Sequence, residues 1–171
     1  MIKSPPITQL ALLLGAGMNS AEKNLGYFLS RQCSTQWQAF LRAFASEFGQ
    51  QIPVAELRVL MARLGRSMAD EISLPAGDTI AALEESMNAI WFGMDWGWVN
   101  LVEHDDGLFV EHHLAPLQLA FGDEALAWSP AILESIYAHW FAAMGAGSAL
   151  RLTQMEPANP EAHVIVFRFG R

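Results

Sequence analysis

The spacing of apolar residues changes once along this chain of 171 residues, and the change falls at Trp96. Before Trp96 the apolar residues recur every three or four positions, which is the repeat of an amphipathic helix. After Trp96 they alternate with other residues, which is the repeat of a β-strand. A chain that keeps the two repeats in separate blocks is typical of the α+β class.

Three helices are predicted ahead of this change. Ser34 or Thr35 caps the first helix, which ends at Gly49. Pro53 opens the second helix, and Asp78 caps the third. The apolar stripes are Trp37, Phe40, Leu41, Phe44 and Phe48 on the first helix, Leu57, Leu60, Met61, Leu64, Met68 and Ile72 on the second, and Ile80, Leu83, Met87 and Ile90 on the third.

Two hairpins and a further helix are predicted after Trp96. The strand that starts there is apolar on both faces, so we expect it to be covered on both sides. His104 to Gly107 forms the turn to a strand over 108–114, Ser129-Pro130 starts a helix, and strands over 150–155 and 164–169 form the second hairpin. The fold predicted is α+β, with an antiparallel four-stranded sheet of two hairpins packed with four to five helices in the order ααα-ββ-α-ββ. We expect residues 34–171 to be one domain and residues 1–33 an N-terminal extension, either flexible or an interface arm.

The composition predicts self-assembly and argues against nucleic acid as a partner. Apolar residues make up 52% of the sequence and charged residues 16%, against a usual charged share of about 25%. So little charge leaves apolar surface for subunit contacts, so we expect a homo-oligomer. The net charge of -8 opposes binding to polyanions. Cys33 is the only cysteine, which favours the cytoplasm; a short apolar run and small residues within 7–21 leave the periplasm as the alternative.

The polar residues predict no catalytic, cofactor or metal site. Five side chains around one hairpin invite a metal site, but adjacent His112 and His113 point to opposite faces of a strand, so at most one of them can join the turn residues. The five are His104, Asp105, Asp106, His112 and His113. The carboxylate pairs Asp70-Glu71 and Glu84-Glu85 diverge by about 100° around a helix axis, so we interpret them as solvated. A nucleophile elbow and a glycine-rich phosphate loop are both missing from the sequence.

Four tryptophans are the candidate site residues. Three lie in the stretch IWFGMDWGWVNL (Ile90 to Leu101) and one in the last helix, and we expect them in the core or at an oligomer interface. They are Trp91, Trp96, Trp98 and Trp140. If Trp98 is buried core, its replacement by alanine costs about 3 to 5 kcal/mol. A sugar-stacking surface, a small-molecule-binding α+β module and, more weakly, a periplasmic glycan hydrolase are the alternatives.

The segment from Leu60 to Leu101 resembles the family of bacterial cellulose synthase D subunits. The resemblance rests on Gly65-Arg66-Ser67-Met68-Ala69, on Pro75 and on the run from Gly93 to Val99. It extends from about Trp37 to Phe169 and does not reach residues 1–33, so no glucan-contacting residue is carried over.

This resemblance implies a non-catalytic accessory component of bacterial cellulose synthesis and secretion. Members of such a family are expected to be α+β proteins that dimerise, assemble into octamers and promote ordered cellulose export. The implied partners are the inner-membrane cellulose synthase complex and a small proline-rich protein of the same operon, with glucan chains as a further candidate. Together they would form a scaffold or a filament beneath the synthase.

Overall fold

The computed structural model of the protein describes residues 20–75, 77 and 79–171. The predicted cap Asp78 and most of the apolar segment 7–21 lie outside these residues. The chain divides between Arg31 and Gln32 into two compact units. The first unit contains helix α1 (Ser20–Leu29), and the hydroxyl of Ser30 donates a hydrogen bond of 2.8 Å to the carbonyl of Tyr27 at its end.

The second unit has the predicted α+β architecture, with two short helical segments that the sequence pattern did not indicate. Its elements are α2 (Thr35–Gln51), α3 (Val54–Glu71), α4 (Ile80–Gly93), β1 (Trp98–His104), β2 (Gly107–His113), α5 (Leu117–Phe121), a 3-10 turn (Glu124–Ala127), α6 (Ala131–Ala143), β3 (Arg151–Gln154) and β4 (Val164–Gly170). The helix-then-hairpin order is therefore confirmed.

The four strands form one antiparallel sheet in the order β1-β2-β4-β3. The two hairpins meet where β2 pairs with β4, and Val110 lies opposite Phe167 in that register. Helix α6 packs on the face of the sheet that carries Phe167 and Phe169. The rings of Tyr137 and Phe167 are 5.8 Å apart, and those of Phe141 and Phe169 are 4.4 Å apart. The core of the unit thus lies between the sheet and its helices.

Helices α3 and α6 approach each other closely at Gly65 of α3. The buried positions of α3 are Leu57, Met61, Gly65 and Ala69, a spacing of four that lines one face. A methyl group at Gly65 would collide with the backbone carbonyl of Ile132 in α6. The glycine of the family-like motif is therefore a packing residue.

An arginine ties this helix pair to the rest of the unit. The guanidinium of Arg58 lies 2.7 Å from the carboxylate of Glu134 in α6. It also donates to the side-chain oxygen of Gln154 in β3, at 3.2 Å. Both ionic side chains are about a quarter to a third exposed, so the contact positions elements more than it stabilises them.

Three features of the helices differ from the prediction. Helix α2 runs to Gln51 rather than ending at Gly49, because the helix continues until Pro53 forces Ile52 into an extended conformation (φ -115°, ψ 130°). Its apolar stripe stays mostly exposed, since Ala45 is the one residue of α2 that is buried. On α3, the predicted stripe residue Leu64 is 44% exposed, because Gly65 takes the central position against α6.

Candidate functional site at the tryptophan junction

The junction between α4 and β1 (residues 91–98, the tryptophan junction) turns the chain sharply from helix to strand. Two of its residues have left-handed backbone conformations, Asp95 with φ 56° and Gly97 with φ 85°. A side chain at Gly97 would be strained at this φ and would also collide with the carbonyl of His113. The glycine therefore allows β1 to start directly beside β2.

The four candidate tryptophans lie in different environments. Trp91 is fully buried and Trp140 is 2% exposed, and their ring centroids are 5.3 Å apart in the core. Trp96 is half-buried and stacks on Trp91 with ring centroids 5.9 Å apart. Trp98 is 37% exposed and stacks on the imidazole of His113, at 4.0 Å and 7°. The structure joins Trp91, Trp96 and Trp140 in one aromatic cluster and leaves Trp98 at the surface.

The expectation that β1 is covered on both faces is wrong for the single chain. The strand begins at Trp98 rather than Trp96, and Val99 and Leu101 are buried against the helices. Trp98, Asn100 and Val102 point to the opposite face, where they are exposed or half-buried. The reason is that the buried side chains of all four strands share one face of the sheet, so the second unit forms two layers and not three.

A buried histidine holds the tryptophan junction to the core. The Nε2 atom of His112 lies 2.6 Å from the carbonyl oxygen of Trp96, and its Nδ1 atom lies 2.5 Å from the hydroxyl oxygen of Tyr137. A carbonyl can only accept, so Nε2 carries the proton and donates to Trp96. The Nδ1 atom then accepts from the hydroxyl of Tyr137. Both buried polar side chains are thereby satisfied inside the core.

The same burial shifts both pKa values in opposite directions. Burial lowers the pKa of His112 to about 4, and the neighbouring His113 adds a smaller effect in the same direction; the bond to Trp96 opposes both. Burial also raises the pKa of Tyr137 well above its usual range. Both side chains are therefore neutral at pH 7, which is the state that this hydrogen-bond chain requires.

Side chains of α4 hydrogen-bond to the outward backbone groups of the edge strand β1. The amide of Asn88 donates to the carbonyl of Val99 at 2.9 Å and accepts from its N–H at 2.7 Å. The carboxylate of Glu84 accepts from the N–H of Leu101 at 2.7 Å. The interpretation of the Glu84-Glu85 pair as solvated is therefore wrong for Glu84. An edge strand occupied in this way cannot easily pair with a strand of another molecule.

Sequence reasoning missed Asn88, Glu84 and Tyr137 because each acts across elements. The one available signal was an asparagine in the middle of a strongly apolar helix, where its propensity is poor. The hairpin residues behave as the opposite-face argument predicted. His112 enters the core and His113 the open face. His104 packs its ring against Phe109 at 4.8 Å.

Metal-ligand geometry is not found in the part of the chain that the structure describes. Within residues 20–75, 77 and 79–171, three or more His, Cys, Asp or Glu side chains do not come together in a group that could hold an ion. Both ring nitrogens of His112 are engaged, and Asp106 faces Arg168 at 3.7 Å. What the arrangement does is fix the shape of the tryptophan junction and present Trp98 beside β2.

The fold and this junction define a two-layer α+β unit in which buried His112 bonds to Tyr137 and to the backbone of Trp96 inside the core. The family model that describes the D subunit of cellulose synthase matches residues 23–170. The chain therefore belongs to this family of cellulose synthase D subunits, as its sequence motifs predicted, and this membership supports a role in cellulose synthesis. The expectation that the family likeness does not reach residues 1–33 is wrong for residues 23–33, which the family model includes.

Curated relatives agree with this assignment at modest identity. The chain is similar to proteins named cellulose synthase operon protein D from Komagataeibacter xylinus and from Komagataeibacter sucrofermentans, each 28% identical over 103 residues. The matched stretch covers 59% of this chain and 66% of each relative, just under two thirds of their length. Among the described helices, none combines the length and the apolar character that crossing a membrane requires.

Proposed function

We propose that this protein is a non-catalytic accessory component of bacterial cellulose synthesis and export, which assembles with copies of itself into an octamer built from dimers. The assembly acts as a scaffold that organises cellulose synthase complexes and promotes ordered export. The observation that carries the proposal is the exposure of large apolar side chains in a family member with only 16% charged residues. Such a surface is characteristic of chains that bury it in an assembly.

The aromatic side chains support this interpretation most directly. Trp37 and Phe40 are each more than half exposed. The buried polar side chains support a structural role, because His112 hydrogen-bonds to Tyr137 and to the backbone of Trp96. A scaffold needs an ordered protomer core and an apolar surface through which copies can associate, and these contacts and exposures support that role.

The family membership supports the proposed partners, and the single cysteine supports the proposed location. We propose association with the inner-membrane cellulose synthase complex from the cytoplasmic side, and with a small proline-rich protein of the same operon, in a filament-like assembly. The alternative location is the periplasm. Residues 1–33 serve as an extension or interface arm, and residues 34–171 serve as the assembling domain. Fractionation of cells that express a C-terminally tagged chain separates the two locations.

The first test is the mass of the full-length protein in solution, measured by light scattering. We expect a mass near eight times that of the 18.9 kDa chain. A variant without residues 1–33 is the companion measurement, and we expect it to keep that mass. A monomeric full-length protein would contradict the scaffold function. A loss of assembly only on truncation would place the contacts in the N-terminal extension.

A second candidate function is glucan binding at Trp98. The observation in its favour is that this ring is 37% exposed on the open face of the sheet, next to the Asn100–Glu111 hydrogen bond of 3.0 Å. An aromatic face beside amide and carboxylate groups suits a sugar ring, which stacks and hydrogen-bonds at once.

Fluorescence tests this second function. Cello-oligosaccharide should quench the emission of the wild-type protein, and Trp98→Ala should abolish the quenching. Trp37→Ala removes another exposed tryptophan and is the matched control, which should keep the quenching. Equal quenching in wild type and Trp98→Ala would exclude this site. The outcome leaves the scaffold function untouched, because the two tests use different surfaces.

A further inference from the structure

Helix α2 carries an aromatic ridge on its outer side, made of Trp37, Phe40, Phe44 and Phe48. The four residues fall within a narrow stripe because their spacing of three and four follows the helical repeat. Trp37 and Phe40 meet edge to face at 5.9 Å, and Phe44 and Phe48 stack at 4.3 Å. Trp37 is 57% exposed, Phe40 58% and Phe48 37%.

The helix is anchored to its own unit by the face next to the ridge. Leu119 in α5 accepts hydrogen bonds through its carbonyl from Gln38 at 3.3 Å and from Arg42 at 3.1 Å. Ala45 is buried on this anchoring face. The aromatic ridge therefore lies to one side of the contact with α5, where Trp37 and Phe40 stay exposed.

The ridge is almost free of charge in a strongly acidic chain. Of the 17 residues of α2 only Arg42 and Glu47 are charged, so the helix is neutral while the chain carries -8. Arg42 is turned toward Leu119, and Glu47 bonds to Gln51 of the next helical turn. Two copies of an acidic chain repel each other least where neither presents net charge. Interface centres are depleted of charge and enriched in aromatic residues in the same way.

The ridge is also nearly symmetric along the helix. If a second α2 lies against the first in the opposite direction, Trp37 of one copy faces Phe48 of the other, and Phe40 faces Phe44. Each of these contacts then occurs twice, as a two-fold interface requires. The polar positions that flank the ridge include Gln36, Glu47 and Gln51, which suit the rim of such a contact.

We propose that the aromatic ridge of α2 is a two-fold interface between copies of this chain, in which the two α2 helices pack antiparallel. The proposal rests on the assembly put forward above and names the surface that makes its basic dimer. The occupant is a second copy because neutral charge and end-to-end symmetry fit this chain itself. A ligand or a foreign helix would require neither feature.

The test compares charged substitutions on exposed aromatic residues, with mass measured by light scattering on full-length protein. Phe40→Glu should reduce the wild-type mass to half or less. Phe92→Glu is the matched control, because Phe92 is also a helical phenylalanine and is 64% exposed, but lies on α4. It should keep the wild-type mass. Far-UV circular dichroism checks that both variants are folded.

A charge-pair experiment tests the antiparallel direction. Trp37→Glu alone and Phe48→Lys alone should each reduce the mass, and the double variant should restore it, because each glutamate then faces a lysine of the other copy. Failure of the double variant to restore the mass would overturn the antiparallel arrangement.

The outcomes separate this proposal from the function it rests on. If wild type assembles and folded Phe40→Glu assembles equally, or if Phe92→Glu dissociates to the same extent, the ridge is not the interface and the scaffold function stands. If wild type itself is monomeric, both proposals fail.

Discussion

Helices α2 and α6 both carry aromatic residues and behave differently in the fold. Helix α6 buries Tyr137, Trp140 and Phe141, while α2 leaves Trp37 and Phe40 more than half exposed. Helix α6 lies between the sheet and the face of α3 that carries Gly65. Helix α2 has as its neighbour the five-residue α5. The difference shows that an apolar stripe predicts that a helix packs against something, but does not identify what it packs against.

The largest effect is expected from truncating matching tryptophans on the two helices. Trp140→Ala should lower the free energy of unfolding by about 3 to 5 kcal/mol, because it empties a core site. The same change also removes the 3.0 Å bond to the carbonyl of Ile72. Trp37→Ala should change it by about 0.5 kcal/mol or less. Urea denaturation of both variants in a Phe40→Glu background measures these free energies of unfolding without a contribution from assembly. Similar losses of stability in the two variants would contradict the difference between the helices.

Lowering the pH should destabilise the buried core, because His112 lies in it. The pKa of His112 is about 4 in the folded chain and about 6.5 when unfolded, so between these values the unfolded state binds the extra proton. Stability should therefore fall by about 3 kcal/mol as the pH drops from 6.5 to 4, and this contribution should level off below pH 4.

The control for this pH dependence is His112→Gln, whose amide can still donate to Trp96 and accept from Tyr137. Denaturation midpoints measured across this pH range should depend less steeply on pH in the variant than in wild type. Equal slopes would mean that His112 is not the group responsible.

Two glycines in similar helices should respond with opposite signs. Gly65→Ala should destabilise by roughly 1 to 3 kcal/mol, because the methyl group collides with the backbone of α6. Gly49→Ala on α2 should stabilise by about 0.5 to 1 kcal/mol, since nothing lies near its side-chain position and alanine favours a helix. Thermal melts of the two variants test the pair; a destabilised Gly49→Ala would show that α2 is packed on a further surface at this position.

A small loss of stability is expected at the protected sheet edge. Asn88→Ala should cost roughly 1 kcal/mol, because water can replace part of its two bonds to Val99 at the edge of the sheet. It should also raise the tendency to aggregate through β1. Asn100→Ala is the control, as its side chain bonds only to Glu111 on the open face. If light scattering increases equally in the two variants during storage, Asn88 does not protect the sheet edge against aggregation.

Much of the fold could be predicted from the local repeat and the turn residues. The change of period at Trp96 predicted the start of the first hairpin within two residues of the observed start of β1 at Trp98. Gly107, with φ 150°, lies in the turn as expected. The opposite directions of His112 and His113 followed from strand geometry. The motif from Gly65 to Ala69 predicted the family, and the structure gives its glycine a packing reason.

The candidate site was less predictable, because its contacts join residues distant in sequence. The sequence singled out four tryptophans as a group, but nothing in their spacing distinguishes buried Trp91 from surface Trp98. Residue type alone did not assign the carboxylate of Glu84 to the backbone of Leu101, since neighbouring Glu85 has the same local context and is exposed.

By itself the sequence determined the helices, the strands, the alternation of faces and the surplus of apolar surface, since these depend on neighbours within a few residues. Tertiary structure alone decided the order β1-β2-β4-β3, the neutral state of His112 and which aromatic stripe is buried. Those outcomes depend on which faces meet. An apolar stripe gains the same free energy per unit area against any partner, so its burial is selected by shape and close approach, as Gly65 permits for α6 and as α5 is too short to provide for α2.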